Sequence, residues 1–318
     1  MVSGALRSAA SPRVLLPLLA ALAAGTGWQA LRPPAPTLTA TFLDVGQGDC
    51  AVLQTRGGRT IVVDAGRRTD ASDAGRSVVL PFLRSQGASR VDALLLTHPD
   101  DDHVGGAPTI LRKLPVGRVL ISGLPSDAPT YNEALAVARE RGVPIVTLRA
   151  GQTVRVEPEV AMEVVSPPPG PQPPAEHPSN AGSLVVRMRA GATTLLLTGD
   201  ADADAEAGML ARREPVRSDL LKVGHHGSPS SSTEPFLKAV APQVAIISVG
   251  RRNAYGHPSR AVLDRLARRG ARILRTDECG AITAVSDGRT WRLRTYRRPP
   301  RKDAPNRGVV PTLSERLY

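Results

Sequence analysis

The sequence predicts an α/β protein in which two sheets meet face to face. Two observations carry that expectation. Strand-like apolar runs alternate with stretches of helical periodicity along most of the 318 residues. The first half also recurs approximately in the second. Residues 51–64, read as strand, glycine turn, strand and Asp64, share their layout with residues 183–200, which end on Asp200. The run VDALLLTH at 91–98 is echoed by SDLLKVGH at 218–225. A repeat of this kind sets two similar sheets against each other, with ligands converging where the strands end.

The elements follow in order. Arg7 and Arg13 precede an uncharged stretch, residues 14–31, containing VLLPLLAALAA. A basic start, an apolar run and small residues thereafter form the pattern of a signal peptide. The stretch is also barely long enough to span a bilayer, so an uncleaved anchor remains a second reading. Residues 1–36 are thus read as signal peptide or single anchor plus a Pro-rich linker, and residues 37–298 as one globular domain. Within it, strands are expected at 38–43, 51–55, 60–63 and 91–97, with helices near 77–85 and 104–113. A strand at 118–122, a helix at 131–141 and a strand at 145–148 complete the first half. Residues 167–174 hold six prolines in eight positions, too donor-poor for a helix or central strand, and read as a loop joining the halves. Residues 299–318 read as a basic, disordered tail.

Composition sets bounds. With 41% apolar and 22% charged residues the chain is ordinary for a globular protein, and its nine aromatics leave the core to Val, Leu, Ile and Ala. The net charge of +12 favours a polyanionic partner such as nucleic acid, cell-wall polymer or anionic lipid. Much of the excess sits near the C-terminus, at Arg292, Arg294, Arg297, Arg298, Arg301 and Lys302, where a solvated tail accounts for it equally well. Two cysteines, Cys50 and Cys279, exclude a disulfide scaffold and leave one pairing open if the domain is exported. A single apolar N-terminal stretch excludes a channel formed by this chain.

The richest segment is His98-Pro-Asp100-Asp-Asp102-His103, directly after the run 91–97. Two imidazoles and two alternate carboxylates in a turn off a buried strand form a ligand set for borderline divalent cations, which favour N and O donors. The bland alternative is an acidic turn in which Asp102 caps the following helix. The second half supplies Asp200 after the apolar run 194–197, and His225-His226 after 220–223. Capping by Asp200 and a surface turn for the two histidines are their alternatives. Together these side chains nearly complete the six to eight ligands that a two-metal site needs, including one carboxylate able to bridge. Two cations roughly 3.5–4 Å apart can activate water and hold both oxygens of a displaced phosphoryl group. An Asp where a third imidazole could stand hardens the site, which helps Mn²⁺ compete with Zn²⁺.

At this point the chain closely resembles a known family. Phe42-Leu43-Asp44-Val45-Gly46-Gln47-Gly48-Asp49 and the HxDxDH turn look like the metallo-β-lactamase-fold domain of the ComEC competence proteins. So do Val62-Val63-Asp64-Ala65-Gly66, Leu197-Thr198-Gly199-Asp200, Lys222-Val223-Gly224-His225-His226-Gly227-Ser228 and Tyr255-Gly256-His257-Pro258. The signatures span about residues 38–290. The resemblance implies an α/β, αββα four-layer sandwich and a dinuclear hydrolase whose competence relatives are thought to degrade DNA. Carried over, His98 and Asp100 would bind one metal, Asp102 and His103 the other, with Asp200 bridging. One of His225 and His226 would supply the last imidazole. Asp64 and Asp49 would orient ligands. His257 would bind the scissile phosphate or protonate the leaving group, with a capping role as its bland reading, and Ser228 would contact substrate.

Two departures matter. Asn180, before Ser183-Leu184-Val185, stands where other members of the fold place His, so it would bind substrate or act as a weak ligand; His177 lies close enough to compete. The multi-helix channel that precedes this domain in full competence proteins is here one apolar stretch, so a role in DNA uptake does not follow. The reading is an exported phosphodiesterase carrying two divalent ions, Mn or Zn. It acts on DNA or another phosphodiester polyanion, with Asp102 and His257 in catalysis and Lys222, Arg251 and Arg252 either lending charge or simply solvated. The N-terminal segment offers membrane attachment, and no obligate protein partner is inferred. The alternatives are phosphocholine or other envelope phosphodiesters as substrate, and a DNA-binding module without catalysis.

Overall fold

The computed structural model describes residues 35–170 and 178–298. The expected signal peptide or anchor, His177 and the basic tail lie outside the described residues. Strands β1 (Leu38–Phe42), β2 (Ala51–Thr55) and β3 (Thr60–Val63) form an antiparallel meander. A small hairpin, β4 (Arg68–Thr69) and β5 (Ser72–Asp73), leads into a π-helical turn at Gly75–Val79 and helix α1 (Leu80–Ser85). The chain then enters β6 (Ala93–Leu96), parallel to β3. Helices α2 (Asp101–Val104) and α3 (Ala107–Lys113) connect to β7 (Val119–Ile121), and α4 (Pro129–Glu140) connects to β8 (Ile145–Thr147). Both strands continue the parallel run.

The second half repeats this plan. An antiparallel meander, β9 (Thr153–Glu157), β10 (Val160–Ser166), β11 (Val185–Ala190) and β12 (Thr193–Leu197), holds a short helix α5 (Pro178–Ala181) in its β10–β11 crossing. Helices α6 (Ala203–Ala211), α7 (Glu234–Val240) and α8 (Arg260–Arg268) then alternate with β13 (Leu220–Lys222), β14 (Val244–Ile247) and β15 (Arg272–Arg275), all parallel to β12. After α9 (Thr276–Cys279), the hairpin β16 (Ile282–Ser286) and β17 (Trp291–Thr295) crosses back and pairs with β1. The result is an eight-stranded sheet and a seven-stranded sheet.

Period-two alternation explains the layers. In β6, Ala93 and Leu95 point into the core between the sheets, while Leu94 and Leu96 face α1, α3 and α4. In β14, Val244 and Ile246 join the same central core, and Ala245 and Ile247 pack under α6, α7 and α8. Strands buried on both faces must be apolar throughout, which is why these runs read as continuous. Four layers follow, helix, sheet, sheet, helix, as the resemblance implied.

Three expectations need correction. The helix expected at 104–113 begins at Asp101 and breaks at Gly105-Gly106. A Cβ on Gly105 would come within 2.2 Å of the Arg68 nitrogen, and one on Gly106 within 2.4 Å of the Ala65 carbonyl oxygen. The break lets the turn at residues 64–68 close over the helix start. Arg292 and Arg294 belong to β17, exposed in alternation with buried Trp291 and Leu293, not to a solvated tail. Cys50 and Cys279 are free thiols in separate cores on opposite faces of the first sheet, so they do not pair.

Candidate metal centre

Parallel strands that share a sheet end on the same edge, and four of the loops there carry polar side chains to the seam between the sheets. Asp64 follows β3, Thr97-His98 follows β6, Asp200 follows β12, and His225-His226 follow β13. Asp49 joins them because β2 runs antiparallel to β3, with Ala51 opposite Val63. The Gly-Gln-Gly-Asp loop must lie close to the acidic turn: the Asp49 amide donates to the Asp102 carbonyl at 3.0 Å. A Cβ on Gly48, whose φ is +141°, would meet that same carbonyl oxygen at 2.3 Å. Glycine is required there by close approach.

The capping alternatives fail on geometry. Asp100 occupies the N-cap of α2 with no side-chain cap hydrogen bond, and Asp102 lies inside the helix. The cap of α6 is Asp202, which accepts from the Ala205 amide at 3.1 Å, so Asp200 is released from that duty.

Three imidazoles have their Nδ1 atoms committed to the protein. Asp64 accepts from the Thr97 amide at 2.9 Å, the Thr97 hydroxyl at 2.8 Å and His103 Nδ1 at 2.8 Å. Thr97, its proton given to Asp64, accepts from His98 Nδ1 at 2.9 Å. The Ser248 carbonyl accepts from His226 Nδ1 at 3.0 Å, with Asp49 Oδ1 beyond it at 3.4 Å. This assignment of protons leaves each Nε2 lone pair aimed at the seam, the arrangement by which outer carboxylates and carbonyls set a metal-binding tautomer.

Asp200 divides its oxygens among them. Oδ1 stands 3.1 Å from His103 Nε2, while Oδ2 lies 3.8 Å from His98 Nε2, 3.7 Å from His226 Nε2 and 3.8 Å from His225 Nε2. Asp102 Oδ2 is 3.1 Å from His226 Nε2, and Asp100 Oδ2 is 3.7 Å from His98 Nε2. Among the described residues, Asp49, His103, Asp200 and His226 present donor atoms within 4.8 Å of one another. Asp49 is better read as an orienting group, because its Oδ2 is held by Lys222 Nζ at 2.7 Å. Buried His98 Nε2 has no hydrogen-bond partner, and the 3.1 Å approach of His103 Nε2 to Asp200 Oδ1 lacks hydrogen-bond geometry, so neither of those atoms is satisfied by it. Orphaned buried donors and acceptors are costly unless something else satisfies them. An N/O set with bare lone pairs converging on one carboxylate fits divalent cations.

Electrostatics divide the three rings. Burial, then His103, pushes the His98 imidazole down to about 3, keeping it a neutral nitrogen donor. Burial works against charge at His103 and His226 too, but Asp200 and the other carboxylates outweigh it, raising both and lifting His226 to about 10, so without a cation these rings hold protons that a bound metal would displace. The cluster attracts positive charge strongly. His225 and His226 hold left-handed backbone, with φ of 47° and 51°, and Asp64 does so at 58°. Such strain, on the order of 1–3 kcal/mol per residue, persists where surrounding structure dictates it and gathers at functional sites.

The remaining expected residues fall around this cluster. His225 is more exposed than His226 and stands at its mouth, with Ser230 Oγ 3.4 Å from its Nδ1. Ser228 is buried with its hydroxyl turned to Ser230 at 2.9 Å, which makes it a support for that turn. His257 has its ring centroid 5.7 Å from that of His225 and a buried Nδ1 without a partner. It caps no helix; the N-cap of α8 is Ser259. Asn180 is buried in α5, its amide oxygen 3.4 Å from Ser179 Oγ, while the chain just after it pairs with the Thr97 carbonyl through the Leu184 amide. Lys222 is buried against Asp49 and the Val223 carbonyl, so it is a structural charge, not a cation facing substrate. Arg251 and Arg252 are exposed.

Sequence reading missed Thr97, Ser248 and Asn253. Thr97 had a signal, a hydroxyl directly before the first ligand. Asn253 had one in its turn chemistry: its side chain bonds the Gly250 and His257 carbonyls at 3.0 and 2.7 Å, and the Tyr255 and His257 amides at 3.1 and 3.0 Å. Ser248 contributes only a carbonyl, which no side-chain pattern announces.

Comparison with known proteins identifies the family. ComE operon protein 3 of Bacillus subtilis (strain 168) is 36% identical over 272 residues, covering 81% of this chain and 34% of that protein. Competence protein ComA of Neisseria gonorrhoeae is 31% identical over 283 residues, covering 85% of this chain and 36% of that protein. The chain thus spans about a third of the length of these relatives. Among solved structures, a CmlA β-hydroxylase E377D mutant superimposes with a TM-score of 0.51 at 15% identity, over 87% of this chain and 60% of that one, a likeness of fold alone. The family model for the metallo-beta-lactamase superfamily matches residues 43–251, from the loop that carries Asp49 to the turn beyond β14. Because that match takes in more than half of the chain and the cluster at its seam, the protein belongs to the metallo-beta-lactamase superfamily.

Proposed function

We propose that this metal-dependent hydrolase cleaves phosphodiester bonds, with DNA as its substrate. The observation that carries the reading is the set of three imidazoles whose Nδ1 atoms are spoken for and whose Nε2 atoms converge on the two oxygens of Asp200. The competence proteins among its relatives support DNA, and exposed Arg251 and Arg252 beside the mouth support a polyanion. In this reading His98 and Asp100 would hold one divalent cation and Asp102, His103 and His226 the other, with Asp200 serving both. His226 is preferred over His225 because it is buried and already meets Asp102 at 3.1 Å. The cations, Mn or Zn, would supply Lewis acidity and neutralise charge that develops on the phosphoryl oxygens.

The chain's own groups do the rest. Asp64 and Asp49 fix the rings of His103 and His226, so the donors need no reorganisation when substrate binds. His257 is held below its usual range by burial and by His225 and His226, so it enters neutral, as a hydrogen-bond donor to a phosphoryl oxygen. Asn180 sits in the helix whose following chain bonds the Thr97 carbonyl beside His98, and in this reading its amide would contact substrate. Residues 37–298 would form the hydrolase domain, acting outside the cytoplasmic membrane after export or anchoring through residues 14–31.

The test is cleavage of single- and double-stranded DNA by the purified chain with Mn²⁺, Zn²⁺ or EDTA, beside Asp102→Ala. Metal-dependent cleavage that disappears in the variant is expected. Two bound metals with no cleavage under any condition would overturn DNA as the substrate.

A further inference from the structure

We infer that Tyr255 is a stacking platform for an unpaired nucleobase next to the scissile phosphate, a reading that rests on the nuclease proposal above. Among the described residues only three large apolar side chains are exposed, Val146, Tyr255 and Tyr296, and Tyr255 is 60% exposed. Of the three it is the one tied to the metal cluster. Its ring stacks on His257, with centroids 5.7 Å apart and planes 25° from parallel. His257 in turn meets His225 edge-on at 5.7 Å, and His225 Nε2 lies 3.8 Å from Asp200. A row of rings therefore runs from the surface to the bridging carboxylate. One face of Tyr255 is covered by His257, and its exposure leaves the rest of the ring to solvent.

An aromatic side chain on a mobile loop would make a poor platform, because binding would have to order it. Here the turn is already fixed. Asn253 ties both of its ends with four hydrogen bonds. The Gly250 amide donates to Gln47 Oε1 at 3.1 Å, and the Ser259 amide to the Gly227 carbonyl at 2.9 Å, anchoring the turn to the loops that carry Asp49 and His226. Exposed Arg251 and Arg252 precede the ring in the same turn, and the Arg251 guanidinium is steadied by the Asp277 carbonyl at 3.2 Å. Cationic side chains that follow a backbone, beside an aromatic face that takes any base, are the means by which unpaired strands are bound without sequence preference. Inside a duplex the base faces are already stacked on their neighbours, so this platform selects single strands, frayed ends and unpaired flaps.

The experiment compares the full wild-type chain with Tyr255→Ala and Tyr255→Phe, all Mn²⁺-loaded. Substrates are a single-stranded oligonucleotide and the same strand with one abasic position walked away from the cleaved bond. Wild type should favour the intact strand over one abasic position by roughly 5- to 150-fold in KM. Tyr255→Ala should lose that discrimination and Tyr255→Phe should keep it. A Tyr255→Ala penalty equal on intact and abasic strands would mean a structural role and overturn the platform. In parallel, a trinucleotide containing 2-aminopurine should be quenched on binding to wild type and Phe but not to Ala, read in Ca²⁺ without turnover. Absence of cleavage by wild type refutes the nuclease reading alone; quenching that ignores the Ala substitution refutes the platform alone.

Discussion

Replacing Lys222 by Met tests whether the buried pair beneath the cluster stabilises this fold. Lys222 Nζ lies 2.7 Å from Asp49 Oδ2, and both side chains are almost fully buried. Burial disfavours the Asp49 charge, yet Lys222 and then His226 outweigh it and hold the carboxyl well below the usual range. Removing one partner of a buried pair costs about 3–5 kcal/mol when the other charge is left uncompensated, and His226, still 3.4 Å from Asp49 Oδ1, keeps the loss at the low end of that range. Protonation offers Asp49 an escape. From the ordinary value of 3.8, protonating a carboxylate costs about 4.4 kcal/mol at pH 7 and about 1.6 kcal/mol at pH 5. The loss at pH 7 should therefore be about 3 kcal/mol and should shrink to about 1.6 kcal/mol or less at pH 5. Urea unfolding in EDTA, followed by circular dichroism at both pH values, measures it directly. Asp49→Asn combined with Lys222→Met should recover most of the stability, since no lone charge remains. A loss under about 1 kcal/mol at pH 7, or one that does not change with pH, would refute this account of the pair.

Two other outcomes are expected. Asp64→Asn places an amide where Thr97 and His103 both donate, so Mn²⁺ or Zn²⁺ affinity by calorimetry should fall about 10- to 100-fold with the fold retained; affinity within twofold of wild type would count against the orienting role. Glu206 is buried, accepts from the Ser232 and Thr233 amides at the start of α7, and is pushed by burial to about 7 from 4.5. A raised carboxyl favours the protonated folded state, so its contribution is full below 4.5 and lost as pH rises through 7. Wild type should thus lose up to about 3 kcal/mol relative to Glu206→Gln between pH 4.5 and 8, and parallel stability profiles would contradict it.

Much of the fold was legible because its central strands are buried on both faces. A run such as Ala93–Leu96 has to be apolar throughout, and the half-repeat places like runs before Asp64 and Asp200. The ligand-type residues were legible because their chemistry is rare at strand ends. Less visible was whatever depends on backbone approach or on a partner far along the chain. Gly105 and Gly106 read as ordinary helix residues until Arg68 and Ala65 come to lie against them. Lys222 looked like a cation for substrate because nothing local reveals Asp49, which sits 173 positions earlier. The choice between His225 and His226 turns on two consecutive left-handed residues, a conformation that histidine does not advertise.

The return of β16 to β1 has a consequence for how the protein is made. Leu38 pairs with Ser286, so the first strand completed is also among the last to be covered. Until the ribosome has delivered the final hairpin, β1 remains an uncapped sheet edge with unpaired amides and carbonyls, the kind of surface that recruits other chains. Shortening the chain before residue 282 would keep every residue proposed here to bind metal and still leave that edge open. Expression of such a fragment should fail through aggregation in nascent chains rather than through loss of chemistry.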